Sequence, residues 1–258
     1  MKNLLKLKYM LLMPLMASII IVSCSDDDED NPNPDTGVAA TGKLNVRFEN
    51  PVELGTTYVT AMGDSFQVNS LKYYISNIKL YNADGLAYTD EDSYYLIEKT
   101  DGMTREMISL GDIPVDTYTK LEYSIGVDAD ANDTLSDGKG ELSLDAQNGM
   151  FWAWKTGYKF LRMDGKYYSP DSTAYLDYRL HSGLNKYYLE KEQSLSLEVT
   201  DGGQHMIHFM VMTHKLFDIP NQLDIKARSG NWQFSDGISD YDLMNENIDN
   251  MLMIHHSE

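Results

Sequence analysis

A single cysteine, Cys24, stands in 258 residues, so no intramolecular disulfide can staple the chain. Basic residues are also scarce, with 21 Lys and Arg against 40 Asp and Glu and a formal net charge of −19. A chain this acidic repels phosphate backbones, which excludes nucleic acid as a partner. It favours cations, or simple solubility outside a cell. There is no G-x-S-x-G nucleophile elbow and no phosphate-cradling P-loop. With forty acidic residues, any pair chosen as a glycosidase dyad is arbitrary. No enzyme is expected. Sustained helical periodicity is missing too; Tyr241 to Ile254 comes nearest, with Leu243, Ile248, Met251 and Leu252 roughly on one face.

The one strongly apolar run opens the chain. Lys2, Lys6 and Lys8 precede an apolar stretch from Tyr9 to Val22 that ends in Ile21-Val22-Ser23-Cys24. This is a secretory signal, too short and too abruptly ended for a membrane span. Its last four residues read as a lipobox, with cleavage after Ser23 and lipid on Cys24; an ordinary signal peptide beside a chance cysteine is the other reading. Ser25-Asp26-Asp27-Asp28-Glu29-Asp30 and the Pro/Asn segment after it cannot bury themselves and read as a solvated tether. A serine followed by acidic residues also resembles the export signal of surface-exposed lipoproteins in some Gram-negative bacteria. The expected organisation is a signal peptide over 1–23, an acidic tether over 24–41 and one folded domain over 42–258. The expected location is the outer membrane, held by the lipid, at the cell surface or otherwise facing the periplasm.

Within that domain the dominant period is two. In Lys43-Leu44-Asn45-Val46-Arg47-Phe48-Glu49 and in Ser194-Leu195-Ser196-Leu197-Glu198-Val199-Thr200 the apolar residues share one face, as half-buried antiparallel strands require. Further strands are expected at Phe66–Tyr81, Tyr94–Lys99, Lys120–Val127, Tyr158–Met163, Ala174–His181 and His205–Met212. Turn signals lie between them at Asp84-Gly85, Asp101-Gly102, Asp137-Gly138, Asp164-Gly165 and Gly202-Gly203. The expected fold is all-β: a single-domain antiparallel β-sandwich with at most a short helix near the carboxyl end.

Five groups of residues invite a chemical reading. Trp152 and Trp154, inside Gly149–Phe160, would share a face in a strand; they are either a core aromatic pair or a functional surface. Asp128-Ala129-Asp130-Ala131-Asn132 spaces oxygen donors alternately, as Ca²⁺ prefers. The segment fails as an EF-hand, so a solvated acidic loop competes with a weak calcium site. Met206, His208, Met210, Met212 and His214 would share a strand face; thioether and imidazole together suit copper, although methionine also fills gaps in a sandwich core, the preferred reading. His255 and His256 would point to opposite faces of a strand, so only one is expected at a given site. His181 ends a strand beside Gly183, a place for a functional side chain or a turn cap.

Several segments fall into a common order: Phe66-Gln67-Val68-Asn69-Ser70-Leu71-Lys72-Tyr73-Tyr74-Ile75-Ser76-Asn77-Ile78, Leu110-Gly111-Asp112-Ile113-Pro114, Ile125-Gly126-Val127-Asp128, the Trp152-Trp154 run, Lys215-Leu216-Phe217 and the final histidines. In that order the chain resembles the MbnP-like family of methanobactin-associated, copper-binding β-sandwich proteins. The resemblance implies mononuclear copper binding outside the cytoplasm by a protein that scavenges or hands over the metal. In related proteins a tryptophan is oxidised to kynurenine by a dihaem peroxidase-like partner, and its new amine approaches copper alongside two imidazoles. Carried over, Trp152 is the candidate for oxidation and Trp154 the alternative. His255 or His256 matches one imidazole, and His181 or His208 would supply the other. Some such proteins have a histidine two residues after the modified tryptophan, where this chain has Trp154.

A different class of function competes. A surface sandwich lipoprotein could bind a glycan or a protein without metal, using some of its eighteen tyrosines as a stacking platform. Oligomeric state is not legible in the sequence.

Overall fold

A computed structural model describes residues 39–90, 93–145, 147–152, 157–233 and 239–258. Cys24 and nearly all of the tether lie outside these residues. In chain order the strands are β1 (Thr41–Glu49), β2 (Thr57–Val59), β3 (Ser65–Asn82), β4 (Gly85–Thr89), β5 (Tyr94–Thr100), β6 (Met103–Arg105) and β7 (Met107–Pro114). They continue with β8 (Asp116–Ile125), β9 (Leu161–Ser169), β10 (Ala174–Ser182), β11 (Leu189–Val199), β12 (Gln204–Val211), β13 (Asn231–Trp232) and β14 (Leu252–Ser257). Helices are short: α1 (Ala129–Thr134), α2 (Lys215–Asp218) and α3 (Ser239–Ile248). None of the described helices is long and apolar enough to cross a membrane.

The 18-residue β3 is the spine of the larger sheet. Along one edge it pairs first with β9 and then with β8; along the other it pairs with β2, β5 and β4. β11 extends this sheet beyond β8, and β10 and β13 extend it beyond β9. A second, four-stranded sheet runs β14-β12-β1-β7. Its alternating strands send Leu44, Val46 and Phe48 from β1 and Ile207, Phe209 and Val211 from β12 into one core. Phe209 stacks on Phe48 at 5.0 Å and meets Tyr123 of the larger sheet edge-on at 5.1 Å. The two sheets therefore pack face to face through their apolar residues, as in a β-sandwich.

The larger sheet also has a covered outer face. Tyr73 points into the inter-sheet core, whereas Tyr74 belongs to a second apolar cluster with Tyr94, Leu96, Val127, Met150, Tyr158 and Phe160. Successive residues of a strand point to opposite faces, so this cluster roofs the far side of the sheet. His181 lies on that far side, because its neighbour Leu180 faces the inter-sheet core.

Four expectations need correction. The helix expected over Tyr241–Ile254 ends at Ile248, and Leu252–Ser257 is a strand completing the four-stranded sheet. Asp164-Gly165 is not a turn but the middle of β9. A Cβ on Gly165 would lie 1.9 Å from the Gln67 carbonyl oxygen and 2.6 Å from the Tyr178 hydroxyl, so glycine is there for close approach. Pairing is mostly antiparallel, but β1–β12 and β10–β13 are parallel. Finally, Met206, His208, Met210 and Met212 share a face, but it is the outer, partly exposed one; these methionines do not fill the core.

Candidate metal centres

Residues 149–152 and 157–160 lie over the outer face of the larger sheet, where Met150, Tyr158 and Phe160 join its apolar cluster. Phe151 and Tyr158 form an antiparallel bridge, the Trp152 N–H donates to the Gly157 carbonyl, and the Lys159 N–H to Met150. Trp152 thus lies next to this isolated bridge rather than in a strand. It is only 2 % exposed. A Cβ on Gly183 would lie 2.6 Å and 2.7 Å from two atoms of its six-membered ring, so the indole lies against the backbone just after β10. Trp154 lies outside the described residues.

Beneath these residues a polar cluster forms across β9 and β10. His181 is in register with Arg162, and Asp164 is two residues along the same face, within diagonal reach. The His181 Nε2–H donates to Asp164 at 2.7 Å, and Arg162 Nε donates to the other carboxylate oxygen at 2.6 Å. His181 is 4 % exposed, and its Nδ1 is buried without a hydrogen-bond partner. Burial pushes the His181 pKa down against the opposing pull of Asp164, so the ring is held neutral. Burial pushes the Asp164 carboxyl up, but His181 and Arg162 outweigh it and hold the group below its ordinary range.

Lys159 joins the two halves. Its ammonium lies 5.9 Å from the centre of the Trp152 ring and donates to the carbonyls of Gly149 and Phe151. It is 8 % exposed, and desolvation, with Arg162 nearby, brings its pKa down to about 8. Its charge also acts on His181. The result is a buried polar cluster in which one imidazole nitrogen of His181 is left without a hydrogen-bond partner and the Lys159 ammonium lies between this ring and the buried indole of Trp152.

A second cluster lies on the outer face of the other sheet. His208 of β12 is in register with His256 of β14, and the rings stack at 4.1 Å. His208 Nε2 is 3.6 Å from a Glu258 oxygen, and one ligand atom from each of His208, His256 and Glu258 lies within 4.8 Å of the others. The pairing slips between His208 and Phe209, whose partners are His256 and Ile254, so His255 is the extra residue of a β-bulge. The bulge corrects the expectation that the two adjacent histidines face apart: their Nδ1 atoms are 2.7 Å from each other.

A sequence profile described as MbnP matches residues 41–235. The chain belongs to the MbnP family. A solved structure, MbnP from Methylosinus trichosporium, is similar at 14% sequence identity over 69% of this chain and 77% of that one, with a TM-score of 0.42. No curated protein sequence matches. The MbnP match contains Trp152, Trp154, His181 and His208 and stops short of His255, His256 and Glu258. The structure thus separates the four candidate histidines. His181 goes with Trp152 on one outer face of the sandwich, and His208 goes with His256 on the opposite one. A single ion cannot join the two pairs.

Within this MbnP-family domain the expected calcium loop is a helix. Asp128 caps α1 by accepting from the Ala131 N–H and also accepts from the Tyr94 hydroxyl. Asn132 accepts from the Tyr158 N–H and donates to Asn185. Two of the three expected oxygen donors, Asp128 and Asn132, are therefore engaged inside the fold; Asp130 lies in the helix's first turn. The tyrosines are largely interior: Tyr73, Tyr74, Tyr118, Tyr158, Tyr178 and Tyr241 are fully buried. The exposed pair Tyr168 and Tyr175 meets edge-on at 5.6 Å, which is not a flat stacking platform. Asp164, Arg162, Lys159 and Glu258 were not anticipated. Reading Asp164-Gly165 as a turn hid the first, and Glu258 lacks any motif of its own.

Proposed function

We propose that this protein is a lipid-anchored, non-catalytic copper-binding protein of the MbnP family that holds copper at His181 and at a kynurenine formed from Trp152. The observation that carries this reading is the buried, unpartnered Nδ1 of His181, in a ring whose other nitrogen is fixed by Asp164 at 2.7 Å. A carboxylate on the far nitrogen is the usual support of a metal-binding histidine, setting its tautomer and orientation. Copper is the cargo, and a neutral imidazole with an aromatic amine in low coordination suits Cu(I).

Each residue of the cluster has a part in this reading. Asp164 keeps the His181 proton on Nε2, Arg162 keeps Asp164 ionised, and Lys159 ties Gly149 and Phe151 down over the site. Gly183 leaves room for the six-membered ring of residue 152. Maturation cleaves the indole C2–C3 bond of Trp152. A partner haem enzyme of peroxidase type uses a peroxide oxidant to add an oxygen atom to each of these carbons. Water then releases C2 as formate, leaving an aryl ketone and a free amine. The lipid on Cys24 and the acidic tether hold the domain at the outer membrane, where it takes up or hands over copper.

The test is copper content and intact mass of the protein isolated from its native envelope. A bound copper, with a mass showing one carbon lost and one oxygen gained at Trp152, supports the reading. Full copper retention in both His181→Ala and Trp152→Phe would sink it.

A further inference from the structure

Beyond the copper reading, and independent of it, we propose that His208, His256 and Glu258 form a second metal site, one that takes a divalent borderline ion such as Zn²⁺ and clips β14 to β12. Two imidazoles and one carboxylate are a donor set such ions select, whereas Ca²⁺ and Mg²⁺ seek oxygen alone. In tetrahedral coordination, bonds of about 2.0–2.2 Å put neighbouring ligand atoms about 3.3–3.6 Å apart. The 3.6 Å between His208 Nε2 and the Glu258 oxygen falls at that spacing, too long for a hydrogen bond. His208 Nε2 is buried with no hydrogen-bond partner, so a donor atom is already desolvated at the site.

The backbone explains why the residues converge. His208 and His256 are cross-strand partners of an antiparallel pair, the geometry that brings two side chains closest on one sheet face. Glu258 continues the pairing beyond β14, exchanging backbone hydrogen bonds with Met206 at 2.7 Å and 3.0 Å, and this places its carboxylate beside His208. The bulge at His255 turns a third imidazole toward His256. On the other flank of His208, Arg47 is its partner in β1, so an ion approaches from the β14 side, where Glu258 offsets its charge. β14 is an edge strand, held by its ladder with β12 and by the bonds of Gln193 and Ser196 of β11 to Leu252, Ile254 and Ser257; an ion bridging it to β12 adds a further attachment.

Zinc titration of the full mature chain, followed by calorimetry and by thermal unfolding, tests the site. The expected result is saturable binding of about one Zn²⁺ at this cluster, with a rise in the unfolding temperature. Because His256 and Glu258 are exposed, His256→Gln and Glu258→Gln retain the fold; both should weaken zinc binding by at least about tenfold, while His214→Gln, at an exposed histidine outside the cluster, leaves it unchanged. Zinc binding that is absent, or that His256→Gln leaves intact, overturns the site. Neither result bears on copper at His181.

Discussion

The Asp164 carboxylate meets His181 Nε2 at 2.7 Å, and this contact decides which imidazole nitrogen is left for a ligand. Asp164→Asn retains an acceptor of the same shape but removes the charge that favours the Nε2–H tautomer. Copper affinity is expected to fall about 10–100-fold with stoichiometry unchanged. Competition titration against a copper chelator measures it; an unchanged affinity would remove Asp164 from the site.

Gly183 is the contact that seats Trp152. A methyl at this position would lie 2.5 Å from the Tyr158 carbonyl oxygen as well as against the indole. Gly183→Ala should destabilise the domain by about 1–3 kcal/mol through overpacking and shift tryptophan emission toward that of a more exposed indole. Denaturant unfolding followed by fluorescence reads both effects.

Alkaline pH should act on stability in two opposite steps. The Lys159 pKa is depressed to about 8 by burial, so between about pH 8 and its ordinary range the unfolded chain binds the extra proton and stability rises with pH. Relative to Lys159→Met, the native chain should gain up to about 2–3 kcal/mol across that window. Above pH 10 the sign reverses. Burial raises the phenols of Tyr73, Tyr74, Tyr95, Tyr123, Tyr178 and Tyr241, and pushes those of Tyr88, Tyr118 and Tyr158 up to about 12. The unfolded chain then releases protons that the folded one holds, and stability falls. Unfolding free energy measured from pH 7 to 11 should pass through a maximum in the native chain, with the rising limb reduced in the variant.

Phe209 joins the two sheets through Phe48 and Tyr123. Phe209→Ala should cost about 3–5 kcal/mol, measurable by chemical denaturation. Met210→Ala, on the outer face of the same strand, should cost much less.

The sandwich was legible because burial of one face writes itself into the sequence as period two, as in Leu44, Val46 and Phe48. What period two cannot show is which strands meet. The parallel β1–β12 pair and the return of Leu252–Ser257 to β12 depend on contacts between residues far apart in the chain. The site was half legible. Trp152 and His181 stood out by residue type, but what relates them, the packing of the indole against Gly183 and the Lys159 ammonium that faces both, arises from tertiary contacts. Asp164 was hidden because Asp-Gly is a turn signal wherever a neighbouring side chain does not claim the glycine's space, and here Tyr178 does. The bulge at His255 reversed the inference from strict alternation, since alternation holds only while the ladder keeps its register.

The most direct measurement is anomalous X-ray scattering at the copper edge from crystals of the protein isolated from its native envelope. A copper peak bonded to His181 Nδ1, beside a kynurenine at position 152, is the expected result. An unmodified Trp152 with no copper peak at His181, or copper only at His208 and His256, would contradict it.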